Sequence, residues 1–136
     1  MTRRCGKCRT TKSLEDFHRC NRDTQHGRQW TCIDCNGARN KAKYREIRDD
    51  LIELLGGRCA CCDERRKVFL QIDHVHGGGG AERKALNSVQ ALSRRVRENP
   101  DAFQVLCANC HAAKTAGVKC PHKSEVGDLV WQAERI

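Results

Sequence analysis

The chain has 136 residues and a formal net charge of +9, with 32% charged and only 4% aromatic residues. So polar a chain buries little apolar surface, which leaves hydrophobic burial alone a marginal source of stability and calls for a further cross-link. No segment approaches the roughly 20 apolar residues of a membrane helix, which excludes a helical membrane protein.

The 11 cysteines supply the cross-link. Met1-Thr2-Arg3-Arg4 leads into Cys5 without an apolar stretch, which predicts no signal peptide and a cytoplasmic location. Structural disulfides are rare there, and closely spaced cysteine pairs bind metal. An odd cysteine total also fits a disulfide framework poorly. The charge is unevenly placed: residues 1–48 hold 13 Lys/Arg against 5 Asp/Glu, whereas residues 49–136 hold 13 against 12. A basic N-terminal third points to a polyanion, with nucleic acid the expected partner.

The first element is a pair of cysteine knuckles. Cys5-x2-Cys8 is answered by Cys32-x2-Cys35. The x2 spacing lets one tight turn aim two sulfurs at one point, and two such pairs close a tetrahedral zinc site. His18 and His26, in the polar stretch between, are expected to be exposed. A helix is predicted from about Asn36 to Leu55, with Tyr44, Ile47, Leu51 and Leu54 on one face and Gly56-Gly57 as its stop. Its first half carries Arg39, Lys41, Lys43, Arg45 and Arg48, a set able to track phosphates.

The second half repeats the knuckle pattern: Cys59-x2-Cys62 is answered by Cys107-x2-Cys110, a second four-thiolate site. Val68–Val75 reads as a strand broken by Gly77 to Gly80. A helix is predicted over Ala85–Glu98, with Leu86, Val89, Leu92 and Val96 on one face and Asn99-Pro100 ending it. Phe103–Leu106 reads as a short strand and Cys110–Ala116 as a short helix stopped by Gly117. Cys20, Cys61 and Cys120 are left over and are read as free thiols. Two alternatives stay open: Cys61 replacing a quartet member, and Cys120-Pro-His122 serving a further metal or capping the second site. The tail from Lys123 shows little pattern, with Trp131 as docking or interface material.

Some of these residues suit phosphodiester hydrolysis, which needs a base to activate water and a cation at the leaving oxygen. His74 is the candidate base, since imidazole is substantially neutral near pH 7. Asp73 offers a hard oxygen ligand for Mg²⁺ or Mn²⁺. Adjacent strand residues face opposite ways, so the two share a site only where the strand ends or twists. Lys114 lies about one turn beyond His111 on the same helix face, where it can hold a phosphate oxygen.

Ile72-Asp73-His74, Leu106-Cys107, Cys110-His111 and Lys114 together resemble the HNH nuclease family and its ββα-metal motif. The surrounding stretches DHVHGGGG and FQVLCANCHAAK, followed by CPH, resemble HNH proteins of bacteriophages. The first quartet, with Phe17 and the basic helix behind it, resembles the zinc-ribbon leader of many phage nucleases. The resemblance implies a small, zinc-stabilised α+β protein: an N-terminal zinc ribbon (1–36), a basic connecting helix (37–57), an HNH module (58–122) and a tail (123–136). It further implies an endonuclease acting on double-stranded DNA, with two structural Zn²⁺ and one catalytic Mg²⁺ or Mn²⁺ held by Asp73 and His111, leaving 5′-phosphate and 3′-hydroxyl ends. Other phage or host proteins are possible partners. One departure stands out: the middle Asn of many HNH motifs, five residues before the first cysteine of LCxxC, is replaced by Ala102. His76, Asn87 and Asn99 are candidates for its role, with His76 favoured because it shares the loop. A non-catalytic zinc-ribbon DNA-binding or packaging accessory protein is the alternative, and an RNA-directed nuclease or RNA-binding ribbon a third reading, disfavoured by the scarcity of aromatics for stacking.

Overall fold

A computed structural model describes residues 1–21, 25–81 and 88–124. The chain divides into two compact units, Met1–Arg45 and Glu46–Ile136.

In the first unit, β1 (Thr2–Arg4) and β2 (Thr11–Ser13) form an antiparallel hairpin with Arg3 opposite Lys12. The Cys5–Cys8 knuckle is the turn between them. The core here is small: Phe17, Cys5 and Cys32 are fully buried, with Cys35 packed against them. The Arg3 guanidinium lies 4.5 Å from the Trp30 ring centroid and 5.8 Å from that of Phe17, and donates to the Arg28 carbonyl at 2.8 Å. One aromatic side chain and three sulfurs make too little apolar burial to hold a fold unaided.

Helix α1 (Ile33–Leu54) begins in the first unit and ends in the second. It starts earlier than the predicted Asn36 because the Cys32–Cys35 knuckle itself opens the helix. The face that packs also differs from the expected one. Leu51 and Ile52 are fully buried and Ile47 and Leu55 pack beside them, whereas Tyr44 and Leu54 are exposed. Gly57 donates to the Ile52 carbonyl at 2.8 Å with φ 68°, a left-handed stop that glycine adopts without steric cost.

The second unit is built on the antiparallel pair β3 (Leu70–His74) and β4 (Phe103–Cys107), in the register Leu70–Cys107, Ile72–Val105, Asp73–Gln104 and His74–Phe103. The expected strand from Val68 starts later because Lys67–Phe69 form a 3-10 turn, with Val68 exposed. Arg48 on α1 holds this turn by donating to the carbonyls of Lys67 (2.8 Å) and Leu70. Helix α2 (Val89–Glu98) is capped by the Ser88 hydroxyl, which accepts from the Ala91 N–H at 3.1 Å. The predicted start at Ala85, with Leu86, lies outside the described residues, as do Asn87 and Trp131. Val96 of α2 packs with Leu51 and Phe103, and a neighbouring core joins Ile52, Leu70, Val105 and Leu106 to the cysteines. Helix α3 (Ala108–Ala116) follows β4 directly and ends at Gly117, φ 67°. Among the described residues no helix is long and apolar enough to cross a membrane.

Candidate functional site

The two quartets assemble as their spacing predicts. The donor atoms of Cys5, Cys8, Cys32 and Cys35 lie within 4.8 Å of one another, and so do those of Cys59, Cys62, Cys107 and Cys110. The leading knuckles are built alike. Cys5 N–H donates to Thr10 O and Cys59 N–H to Glu64 O, each at 2.9 Å. Arg9 and Asp63 return to Cys5 O and Cys59 O, with φ 64° and 61°. The amides of Lys7 and Cys61 each donate to the first sulfur at 3.4 Å. The second knuckle of each quartet opens a helix: Cys32 directly precedes α1 and Cys35 lies in its first turn, and Cys107 caps α3 by accepting from the Cys110 N–H at 3.5 Å. Helix N-termini and amide donors both favour thiolates.

The thiols titrate accordingly. The Cys32 N–H, 3.3 Å from Cys5 Sγ, brings the Cys5 thiol down to about 6. Cys35, beside the Cys32 sulfur and partly desolvated, is pushed up to about 12. In the second quartet, burial raises Cys62 to about 11 and Cys110 further still. Burial also works against ionisation of Cys59, but amide donors from Cys107, Cys62 and Cys61 outweigh it and lower that thiol. In the first quartet Cys5 and Cys8 ionise more readily and Cys35 resists; in the second Cys59 ionises more readily while Cys62 and Cys110 resist, so holding all four sulfurs as thiolates calls for a cation. Each quartet can therefore hold a zinc ion, which takes four sulfurs tetrahedrally.

Two of the leftover cysteines stand where the alternative of a further metal at Cys120-Pro-His122 would need ligands. Cys61, Cys120 and His122 gather with Cys110 into a third group, again within 4.8 Å. Cys20 is half-buried and lies in none of the three groups.

The carboxylate of Asp73 is buried at the end of β3, 9% exposed. Its Oδ1 is 3.6 Å from His111 Nε2 on α3. Its Oδ2 accepts from Gln104 Nε2 at 2.9 Å and from the Lys114 ammonium, which also donates to the His74 carbonyl. Asp73, His111 and Lys114 thus meet, brought together by one strand end and the facing helix. Lys114, expected at a phosphate, is here ion-paired to the carboxylate. Gln104 escaped the sequence reading. It is Asp73's cross-strand partner, so only the register of β3 against β4 reveals it.

The His74 ring packs on β4. Register pairs it with Phe103, and the two ring centroids are 4.7 Å apart. A Cβ added to Gly79 would sit 2.6 Å from His74 Nδ1, so the loop backbone lies against that edge of the imidazole and Nε2 is turned away from it. The strand ends at His74, and Gly77 and Gly78 (φ 79° and 84°) turn the chain there. His76 is exposed in that turn. At the position of the missing Asn, the Ala102 carbonyl accepts from the Val75 N–H at 3.0 Å, a backbone tie on the segment after His74.

Among the basic residues of α1, Lys41, Lys43 and Arg45 are exposed, and Arg39 donates to Asn36 Oδ1 at 2.7 Å on the exposed surface. His18 and His26 are exposed, as expected. No protein-family model, no curated protein and no solved structure matches this chain.

Proposed function

We propose that the protein is a metal-dependent DNA endonuclease of the HNH type, stapled by structural zinc at its two cysteine quartets. The observation that carries the reading is the pairing of Asp73 Oδ1 with His111 Nε2 at 3.6 Å, from a strand end and the helix facing it. Two ligands sharing an octahedral Mg²⁺ at 2.0–2.1 Å lie about 3 Å apart, so a small adjustment of these side chains suits a divalent ion. Asp73 and His111 would hold Mg²⁺ or Mn²⁺, which when bound supplies charge stabilisation at the scissile phosphate and the leaving oxygen.

The chain's own residues have the remaining parts. Gln104 and Lys114 fix Oδ2 and so leave Oδ1 as the ligand oxygen. His74 acts as general base through Nε2, the ring nitrogen turned away from Gly79, taking a proton from the attacking water. Phe103 and Gly79 set the plane of that ring. Cys110 adjoins His111, so zinc in the second quartet steadies the helix turn that carries one catalytic ligand. Lys41, Lys43 and Arg45 attract the duplex through its phosphates, without base specificity. Phage origin and phosphate-terminated products belong to the HNH resemblance and rest on it alone.

Incubating supercoiled plasmid with the protein, with and without Mg²⁺ or Mn²⁺, tests the reading. Metal-dependent nicking is expected. A second reading, a non-catalytic zinc-ribbon DNA-binding protein, is favoured by one observation: the His74 ring packs on Phe103 while Asp73 faces Gln104 and α3. Retarded plasmid mobility without cleavage in either metal would select it.

A further inference from the structure

The third sulfur-rich group shares one member with the second quartet. Cys110 belongs to both Cys59/Cys62/Cys107/Cys110 and Cys61/Cys110/Cys120/His122. The distances around the shared atom are those of ligands on one ion. Cys110 Sγ is 3.5 Å from Cys120 Sγ and 3.3 Å from His122 Nδ1, and Cys120 Sγ is 3.5 Å from His122 Nδ1. In the quartet itself, Cys62 Sγ and Cys107 Sγ are 3.7 Å apart. With Zn–S near 2.3 Å and Zn–N near 2.0 Å, a tetrahedral site requires S···S edges of about 3.8 Å and S···N edges of about 3.5 Å. One tetrahedral ion takes four of these seven donors, which leaves three.

We propose that the second unit holds a two-zinc cluster in which the Cys110 thiolate bridges the ions. One zinc is bound by Cys59, Cys62, Cys107 and Cys110, the other by Cys61, Cys110, Cys120 and His122. Burial argues for the second ion independently of spacing. Cys110 is fully buried and Cys120 is 1% exposed, and both sulfurs lie in the core with Leu70 and Leu106. A second dication would give these buried sulfurs a countercharge as bound thiolates. The donor set, three sulfurs and an imidazole, is soft and suits zinc rather than Mg²⁺ or Ca²⁺. Its mechanical effect falls on α3. Cys107 and Cys110 fasten the helix at its start, while Cys120 and His122 fasten the segment just beyond its end. The helix bearing His111 and Lys114 is thus clamped at both ends. The inference rests on the second quartet and is independent of nuclease activity.

Metal counting on the full chain tests it. Native mass spectrometry under reducing conditions is expected to find three zinc ions per chain, and two in Cys120→Ser. Loading with ¹¹³Cd is expected to give two resonances coupled to each other through the shared sulfur. A wild-type count of two, three ions retained in Cys120→Ser, or three bound cadmium ions without coupling would each overturn the cluster. If Cys120→Ser fails to fold, the wild-type count and the cadmium coupling decide alone.

Discussion

Gln104 faces Asp73 across the β3–β4 pair and donates to its Oδ2 at 2.9 Å, leaving Oδ1 turned toward His111. This contact gives the buried carboxylate a fixed orientation in which one oxygen is satisfied and the other is aimed at the facing helix. Replacing Gln104 with Leu, close in size and without a donor, removes the bond while keeping the strand pairing. Metal-supported plasmid cleavage is expected to fall about tenfold, as for other outer-shell partners, with the apparent Mn²⁺ requirement rising. Zinc content should not change.

Lys114 neutralises Asp73 inside a site where their side chains are only 13% and 11% exposed. Lys114→Met should therefore leave a buried carboxylate short of its countercharge and destabilise the fold by about 3 kcal/mol, read from urea unfolding. The same change removes positive charge from the proposed ion's neighbourhood. Added Mn²⁺ is then expected to raise the unfolding midpoint of Lys114→Met more than that of the wild type.

His74→Ala removes the proposed base without touching a cysteine. Cleavage should drop by about 10²- to 10⁴-fold, the usual worth of a positioned acid–base group. Gly79→Ala is a subtler version. Its new methyl would press on His74 Nδ1, so the ring must shift or the loop must move. Cleavage is expected to fall while far-ultraviolet circular dichroism and zinc content remain at wild-type values.

Chelation should unfold the first unit, whose core consists of Phe17 and the cysteines. A structural zinc contributes on the order of 10 kcal/mol at pH 7, more than so small a core supplies. The pH dependence has a definite sign. Zinc binding requires thiolates, so zinc-dependent stability is present at neutral and higher pH and is lost as protons compete. Protons compete with zinc for the four sulfurs, so release from the first quartet should increase as pH falls. A colorimetric zinc indicator followed against pH measures this.

The quartets could be read from the sequence because two residues between cysteines fix a local turn, whatever the rest of the chain does. The end of helix α3 was legible at Gly117, whereas its start lies at Ala108, inside the Cys107–Cys110 knuckle and before the predicted Cys110. Other features depend on packing that no local pattern encodes. Tyr44 fits the helical period of Ile47 and Leu51 yet is exposed, because the packed face of α1 is completed by Ile52 and Leu55. Gln104 lies 31 residues from Asp73 and becomes its partner only through strand register. Cys61 sits between two quartet members, and spacing alone could not separate a spare thiol from a ligand of a neighbouring ion.

The central claim is that Asp73 and His111 hold a divalent ion that the protein uses to cut DNA. Its most direct test compares wild type with His111→Ala on supercoiled plasmid in Mn²⁺, with zinc content checked for both. The account predicts nicking by the wild type, none with metal omitted, and loss of at least about 10²-fold in His111→Ala at unchanged zinc. Equal cleavage by the two proteins, or no cleavage by zinc-loaded wild type in either Mn²⁺ or Mg²⁺, would contradict it.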